Sequence, residues 1–164
     1  MRRLVPCLTL LFLLLLGTPP LRAEPRAQAG PSALRVWALR LGPGQDLRQE
    51  LEAFARSKGL RAGFVVSAVG SLREVRLRLA NQEEATAFPG PVELVSLGGT
   101  LSPDGPHLHL SVSDSTGRTV GGHLVPGCLV YTTVELVLGE APDLEFSRPT
   151  DPETGYRELE VRGR

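Results

Sequence analysis

Cysteine is one residue type that this chain has little of. The 164 residues contain two cysteines, Cys7 and Cys128, and Cys7 lies in an N-terminal apolar run that has the form of a cleavable leader. A disulfide framework is therefore excluded for the mature monomer, because Cys128 would remain alone. Cys128 follows a glycine and precedes Leu-Val-Tyr, a context typical of a buried strand, so we expect an inert thiol. A nucleophilic role is the alternative, but nothing in the sequence marks an activated thiolate.

The chain also lacks an excess of charge of either sign. Its 18 basic and 18 acidic residues give a formal net charge of zero. Residues 1–23 contain three arginines and no acid, so the remainder has 15 basic and 18 acidic residues and a net charge of −3. A mildly acidic domain of this kind is a poor candidate for a general nucleic-acid binder, so no nucleic acid is expected as a partner.

What the chain does have at its start is an apolar run. Arg2-Arg3 precedes an apolar core from Leu4 to Leu16, which ends before Gly-Thr-Pro-Pro and the small residue Ala23. This pattern predicts a secretory signal peptide over 1–23, and hence a secreted protein without a stable membrane anchor after cleavage. The run is shorter than the roughly 20 residues of a membrane span. A mitochondrial presequence, which should be amphipathic and rich in serine, and an uncleaved anchor are the alternatives.

The remaining pattern predicts one helix and about seven strands. Asp46 is placed to cap a helix, with Gln49 three residues later, an apolar stripe after it and Gly59 at its end. The other apolar segments alternate or are continuously β-branched, as strands are. We therefore expect an α+β domain in which one main helix packs on a largely antiparallel sheet.

Several glycine-rich or polar segments predict where these elements stop. We expect strand breaks at Gly70-Ser71 and Gly98-Gly99, and a loop over 82–91. A flexible lead-in is predicted over 24–32 and a polar C-terminal tail over 149–164.

All three histidines lie in one short segment that predicts a hairpin. Residues 107–113 alternate strictly, which places His107 and His109 on one face of a strand and three apolar residues on the other. A three-residue loop ending at Gly117 pairs Asp114 with Arg118 and brings His123 opposite His109. The hairpin then carries all three imidazoles on one face.

Imidazoles placed in this way can converge on one metal ion. His107 and His109 are about 6.6 Å apart along the strand, from a rise of roughly 3.3 Å per residue, and His123 is roughly 5 Å across the ladder. Three imidazoles this close can converge on one ion at about 2.0–2.1 Å from each nitrogen. The predicted metal ligands are therefore His107, His109 and His123. The alternative is that they form only the polar face of a hairpin. Glu93 and Glu135 are charges inside apolar runs, and either is a candidate base or partner near the metal, although most such carboxylates are edge or paired residues.

Taken together, these segments resemble the PPC ("plants and prokaryotes conserved") domain family, and we set the domain at 33–148. The matching pieces, in chain order, are Arg40 to Leu47, Ala68 to Leu72, Val92 to Thr100, the His-Leu-His-Leu-Ser-Val-Ser-Asp hairpin, Gly121 to Leu124 and Val130 to Glu135. The resemblance implies an α/β fold with a largely antiparallel sheet and assembly as a homotrimer. In bacterial and archaeal members it also implies a zinc ion held by three histidines that match His107, His109 and His123.

The resemblance leaves the function open, because the family has no settled enzymatic activity. Its plant members bind AT-rich DNA through a separate AT-hook, whereas Arg162-Gly163-Arg164 here lacks the following proline. We therefore expect a secreted zinc-binding trimeric module for a small-molecule or protein ligand. A zinc-dependent hydrolase-like enzyme is the alternative, because three histidines leave a coordination position open. A DNA-binding role is favoured least.

Overall fold

The computed structural model describes residues 30–164, which form a six-stranded antiparallel sheet, a two-stranded sheet and a helix. The predicted signal over 1–23 and the first part of the predicted lead-in, 24–29, lie outside the described residues. The elements are β1 (Arg35–Leu41), α1 (Leu47–Lys58), β2 (Gly63–Arg78), β3 (Ala85–Ser102), β4 (Gly105–Ser113), β5 (Thr119–Leu124), β6 (Leu129–Glu140), β7 (Leu144–Ser147) and β8 (Glu160–Gly163). Within this part of the chain, no helix has the length and apolarity needed to span a membrane.

The large sheet has the strand order β1-β6-β2-β3-β4-β5, and the end of β2 also pairs with β5. The sheet therefore curls until its last strand meets one of its central strands. The concave face and α1 share one hydrophobic core, to which both long strands and the β4–β5 hairpin contribute leucine and valine side chains. The predicted fold class, a mainly antiparallel sheet with one helix, is confirmed.

Helix α1 begins and ends where the sequence predicts. The Asp46 carboxylate accepts hydrogen bonds from the backbone N–H groups of Arg48, at 3.0 Å, and Gln49, at 3.1 Å. Gly59 ends the helix in the left-handed conformation, with φ of 63°. Leu47 and Leu51 are fully buried, which fixes the helix on the sheet.

The predicted strand breaks at Gly70-Ser71 and Gly98-Gly99 are wrong. β2 and β3 continue through both pairs, and Gly70 and Gly99 have φ values of 142° and 131°. A Cβ on Gly99 would overlap the carbonyl oxygen of His107 on the neighbouring strand. Glycine here lets two backbones approach closely within a long strand, which is its other role within sheets. The predicted loop over 82–91 is also shorter than expected, because 85–89 pairs with the second half of β2.

The segment predicted as a polar tail contains a strand. β8 pairs with β7 in the small sheet, from Ser147 opposite Glu160 to Leu144 opposite Gly163. Between them, the Arg157 Nε donates to the carbonyl of Arg148 at 2.8 Å, and the Arg148 guanidinium donates to the carbonyl of Arg157 at 2.6 Å. This double contact joins the two ends of the connecting segment, and the Arg148 side chain also contacts His107 on β4.

Candidate metal centre

The β4–β5 hairpin has the predicted register. Val112 lies opposite Val120 and His109 opposite His123, and the backbone N–H of Asp114 donates to the carbonyl of Arg118 at 3.0 Å. Gly117 takes the left-handed position, with φ of 82°. The Asp114 carboxylate accepts from Thr116 and Arg118 within the loop, and these hydrogen bonds, those from Thr116 first, lower the pKa of Asp114. The loop that sets the register is therefore locally stabilised.

Burial of the alternate residues decides which face the histidines occupy. The side chains of Leu108, Leu110, Val112 and Leu124 are at most 1% exposed and belong to the main core. Because successive strand residues point to opposite faces, the histidines of the same strands must point away from the core. A shift of register by one residue would bury imidazoles among leucines, which burial of the apolar face opposes.

The three imidazoles form one cluster on that outer face. His109 Nε2 and His123 Nδ1 are 3.1 Å apart, and one ring nitrogen from each histidine lies within 4.8 Å of the others. The ring centroid of His107 is 5.1 Å from that of His109 and 5.3 Å from that of His123. Two nitrogens bound tetrahedrally to one zinc ion at roughly 2.05 Å would be about 3.3 Å apart. The His109–His123 spacing already fits this value, and the ligating nitrogen of His107 lies within 4.8 Å of both.

Arg148 contacts this cluster from the segment after β7. Its side chain is buried, and its Nη2 lies 2.9 Å from Nδ1 of His107. Since a guanidinium has no acceptor, Arg148 donates and Nδ1 of His107 accepts with its lone pair. The Arg148 backbone N–H also donates to the Asp104 carboxylate at 2.8 Å, which anchors the segment to the β3–β4 turn.

The surroundings of His107 and His123 favour neutral imidazoles. Desolvation, followed by the nearby charge of Arg148, lowers the pKa of His107. Desolvation, followed by the charge of Arg78, lowers the pKa of His123 to about 4, and Arg78 is the strand partner of His123 on β2. A neutral imidazole is the form that binds a metal, so these two histidines are prepared for coordination near neutral pH.

A cleft of about 310 Å³ opens beside the cluster. Two of the histidines, the β3 backbone and the segment between β7 and β8 form its walls. The lining residues are Gly98, Gly99, Thr100, His107, His109, Arg148, Glu158 and Leu159.

The sequence profile of the Plants and Prokaryotes Conserved (PCC) domain, also abbreviated PPC, matches residues 28–142. The chain belongs to this family. Curated relatives of this PCC domain include the "Bifunctional protein GlmU" of Synechococcus sp. (strain JA-3-3Ab), which is 56% identical over 144 residues. That match covers 87% of this chain and 23% of the Synechococcus protein. The chain spans about a quarter of the length of this relative and of a second Synechococcus protein of the same name.

Two solved structures support the PCC fold. A hypothetical protein from Salmonella cholerae-suis superimposes with a TM-score of 0.81 and 48% sequence identity, over 82% of this chain and 98% of that one. A protein from Archaeoglobus fulgidus described as metal-containing superimposes with a TM-score of 0.65 and 28% identity, over 82% of this chain and 99% of that one.

Neither predicted carboxylate of this PCC domain lines the cleft. Glu93 is exposed and lies opposite Ser113, four residues from His109 and thus about 13 Å along the sheet. Glu135 is exposed on β6, opposite Arg40 on β1. Of the described acidic residues, the one that lines the cleft is Glu158.

Arg148 and Glu158 were not identified from the sequence as site residues of the PCC domain. Arg148 lies 41 positions from the histidine it contacts, and Glu158 lies in the segment predicted as a polar tail. A contact over that separation leaves no periodic pattern. The one available signal is a charged residue directly after the alternating β7, which is too common to indicate a site.

Proposed function

We propose that this PCC domain is a zinc-binding module that receives a small-molecule or protein ligand at its three-histidine site. The observation that carries the proposal is the convergence of ligating nitrogens from His107, His109 and His123 within 4.8 Å on one outer face. The metal-containing description of the Archaeoglobus fulgidus relative also supports a metal in this fold.

The chemistry of the donor set favours zinc. Three neutral imidazoles suit Zn²⁺ and other late first-row ions, whereas Mg²⁺ and Ca²⁺ prefer oxygen ligands. Three protein ligands also leave a coordination position for a further group, which distinguishes a binding or catalytic site from a closed structural one.

Metal analysis of the untagged full chain tests this function. The protein is expressed in eukaryotic cells so that the predicted signal peptide can be removed. Inductively coupled plasma mass spectrometry of the purified protein should then find about one metal ion per chain. Chelation should remove the ion, and addition of zinc should restore it. If the folded chain takes up no zinc, the alternative holds, in which the histidines form only the polar face of a hairpin.

A zinc-dependent hydrolase is the second candidate, and Glu158 favours it. A metal with an open position acts as a Lewis acid and activates water, and Glu158 supplies a carboxylate in the same cleft. Ester, phosphoester and lactone substrates should then be turned over by the wild-type protein. Loss of turnover in Glu158→Gln with full metal content would support catalysis, while an inactive wild type would support the binding module.

We also propose that the chain assembles as a homotrimer. Large apolar side chains are exposed on the neighbouring strands β2, β3 and β6, where Val66, Val69, Val95 and Tyr131 are 49% to 55% exposed. Large exposed apolar patches mark interfaces in many proteins, and these side chains are the candidates for such a patch. The number three comes from the family resemblance. Light scattering coupled to gel filtration should give three times the chain mass for the wild type and a smaller mass for Val69→Glu.

The proposed location is the secretory pathway, on the pattern of residues 1–23. N-terminal sequencing of protein recovered from the culture medium should begin near residue 24, whereas recovery from mitochondria would support the presequence alternative. DNA binding is the function we favour least, because residues after 23 carry a net charge of −3. A gel-shift titration with AT-rich duplex at physiological salt tests it.

A further inference from the structure

Arg148 is a buried cation with no carboxylate partner among residues 30–164. Its side chain is about nine-tenths buried, at 8% exposure, and its guanidinium donates to a ring nitrogen of His107 and to the carbonyl of Arg157, both of which are neutral. The Asp104 carboxylate accepts from the backbone N–H of Arg148 and not from its side chain. Buried charges in proteins are usually paired or serve a function, because an unpaired one is costly.

Metal binding would remove one of the acceptors that Arg148 now uses. A neutral imidazole has one lone pair, and the nitrogen that binds a metal uses it while the other nitrogen carries the proton. If the metal takes Nδ1 of His107, Arg148 is displaced. If the metal takes the other nitrogen, Nδ1 becomes a donor. In both cases the Nη2 of Arg148 loses its bond to His107 next to the metal.

The charges around the site are also unbalanced once a divalent ion is present. Three neutral imidazoles contribute no negative charge, and the charges of Arg78 and Arg148 both act on the histidines. Among the described residues, Glu158 is the one acid whose charge acts on His107 in the opposite direction. The centre would therefore keep an excess of positive charge in a partly buried position, where charges are poorly screened.

Building on the proposed metal site, we propose that the cleft binds a small oxyanion, a carboxylate or a phosphate, and that Arg148 recognises it beside the metal. A guanidinium binds both anions well because its donors form a planar fork. The cleft volume of about 310 Å³ is at the lower end of small-molecule sites. Its β3 wall includes Gly98, where even a Cβ would meet open space, so a ligand can approach the backbone.

The test uses the full chain loaded with Co²⁺, whose visible absorption responds to a change in its ligands. Sodium acetate and inorganic phosphate are titrated separately into wild type, Arg148→Gln and the matched control Arg162→Gln, an exposed arginine of β8 outside the cleft. At least one of the two anions should bind, with the same affinity for wild type and for the control. The anion that binds more tightly identifies the ligand class. Arg148→Gln should bind it about ten- to a hundredfold more weakly, since hydrogen bonds to charged groups are lost.

A second variant covers the case in which Arg148→Gln fails to fold. Glu158→Gln removes the opposing charge and keeps a side chain of the same shape, so it should bind the anion about fivefold more tightly. A wild-type chain that takes up no metal would overturn the proposed function itself. Three results would overturn this inference and leave the proposed metal site intact. They are metal uptake without anion binding, an unchanged anion affinity in folded Arg148→Gln, and an unchanged or weaker anion affinity in Glu158→Gln.

Discussion

His109 Nε2 and His123 Nδ1 lie 3.1 Å apart although 14 residues separate them in the chain. The three-residue loop after Asp114 brings them together, and the buried leucines on the opposite face hold the register. The distance is close to the spacing of two nitrogens on one zinc ion, about 3.3 Å. His109 and His123, which pair directly across the hairpin, therefore already have the spacing of two ligands to one ion.

Replacing His109 by alanine should abolish tight metal binding. The cluster would keep two imidazoles. Mutation of a residue that only supports a metal ligand lowers metal affinity by up to roughly a hundredfold, so loss of a direct ligand should lower it by at least that factor. Ser111→Ala is the matched control, because Ser111 is on the same strand and face outside the cluster. Competition with a chromogenic chelator measures both affinities. A His109→Ala protein that keeps wild-type zinc affinity would contradict the assignment of ligands.

The metal-free protein should lose stability as the pH falls from about 6.5 towards 4. The pKa of His123 is about 4 in the folded chain against a usual value of 6.5, so the unfolded state binds the extra proton in this range. The effect should be modest, because the ring remains partly exposed to solvent, which screens the neighbouring charges. Urea unfolding at pH 7 and pH 5 in the presence of chelator measures it.

The same shift can be followed directly at the ring. Imidazole C–H resonances in the NMR spectrum should show His123 titrating near pH 4, and Arg78→Gln should raise that pKa by removing a nearby positive charge. A midpoint of 6.5 in the wild type would contradict the environment described for the cluster.

Cys128 should resist alkylation in the folded protein. Its side chain has no exposure, and its Sγ lies 3.3 Å from both the backbone N and the carbonyl oxygen of Arg76. Burial raises the pKa of the thiol to about 11, so almost no thiolate exists at pH 8. Iodoacetamide should label the unfolded chain fully and the native chain hardly at all, by mass spectrometry. Rapid labelling of the native protein would support the alternative, a nucleophilic role for Cys128.

Gly99→Ala should destabilise the fold strongly, while Gly98→Ala should be tolerated. The added Cβ at 99 would overlap the His107 carbonyl oxygen in a backbone conformation that favours glycine, whereas a Cβ at 98 meets no atom within 4 Å. We expect a loss of about 3 kcal/mol or more in the free energy of unfolding for Gly99→Ala and less than about 1 kcal/mol for Gly98→Ala. Chemical denaturation compares the two, and equal stabilities would show that β3 and β4 can separate at no cost.

The sequence by itself determined the local elements. Asp46 and Gly59 bound the helix because capping depends on neighbouring residues, and the strict alternation of 107–113 with the turn at Gly117 sets the hairpin register. The same pattern predicted that His107, His109 and His123 share a face, which the coordinates show. Zinc, the trimer and the secretory location stay predictions.

Only the tertiary structure decided what surrounds those histidines. Gly70 and Gly99 lie inside strands that their composition suggested would end, because the role of a glycine depends on how close the neighbouring backbone comes. The curl of the sheet and the position of the segment after β7 decide which charged residues reach the cleft. Glu93 and Glu135 lie away from it, whereas Arg148 and Glu158 line it. Contacts between residues far apart in the chain arise from packing of the whole core, so no local period or motif records them.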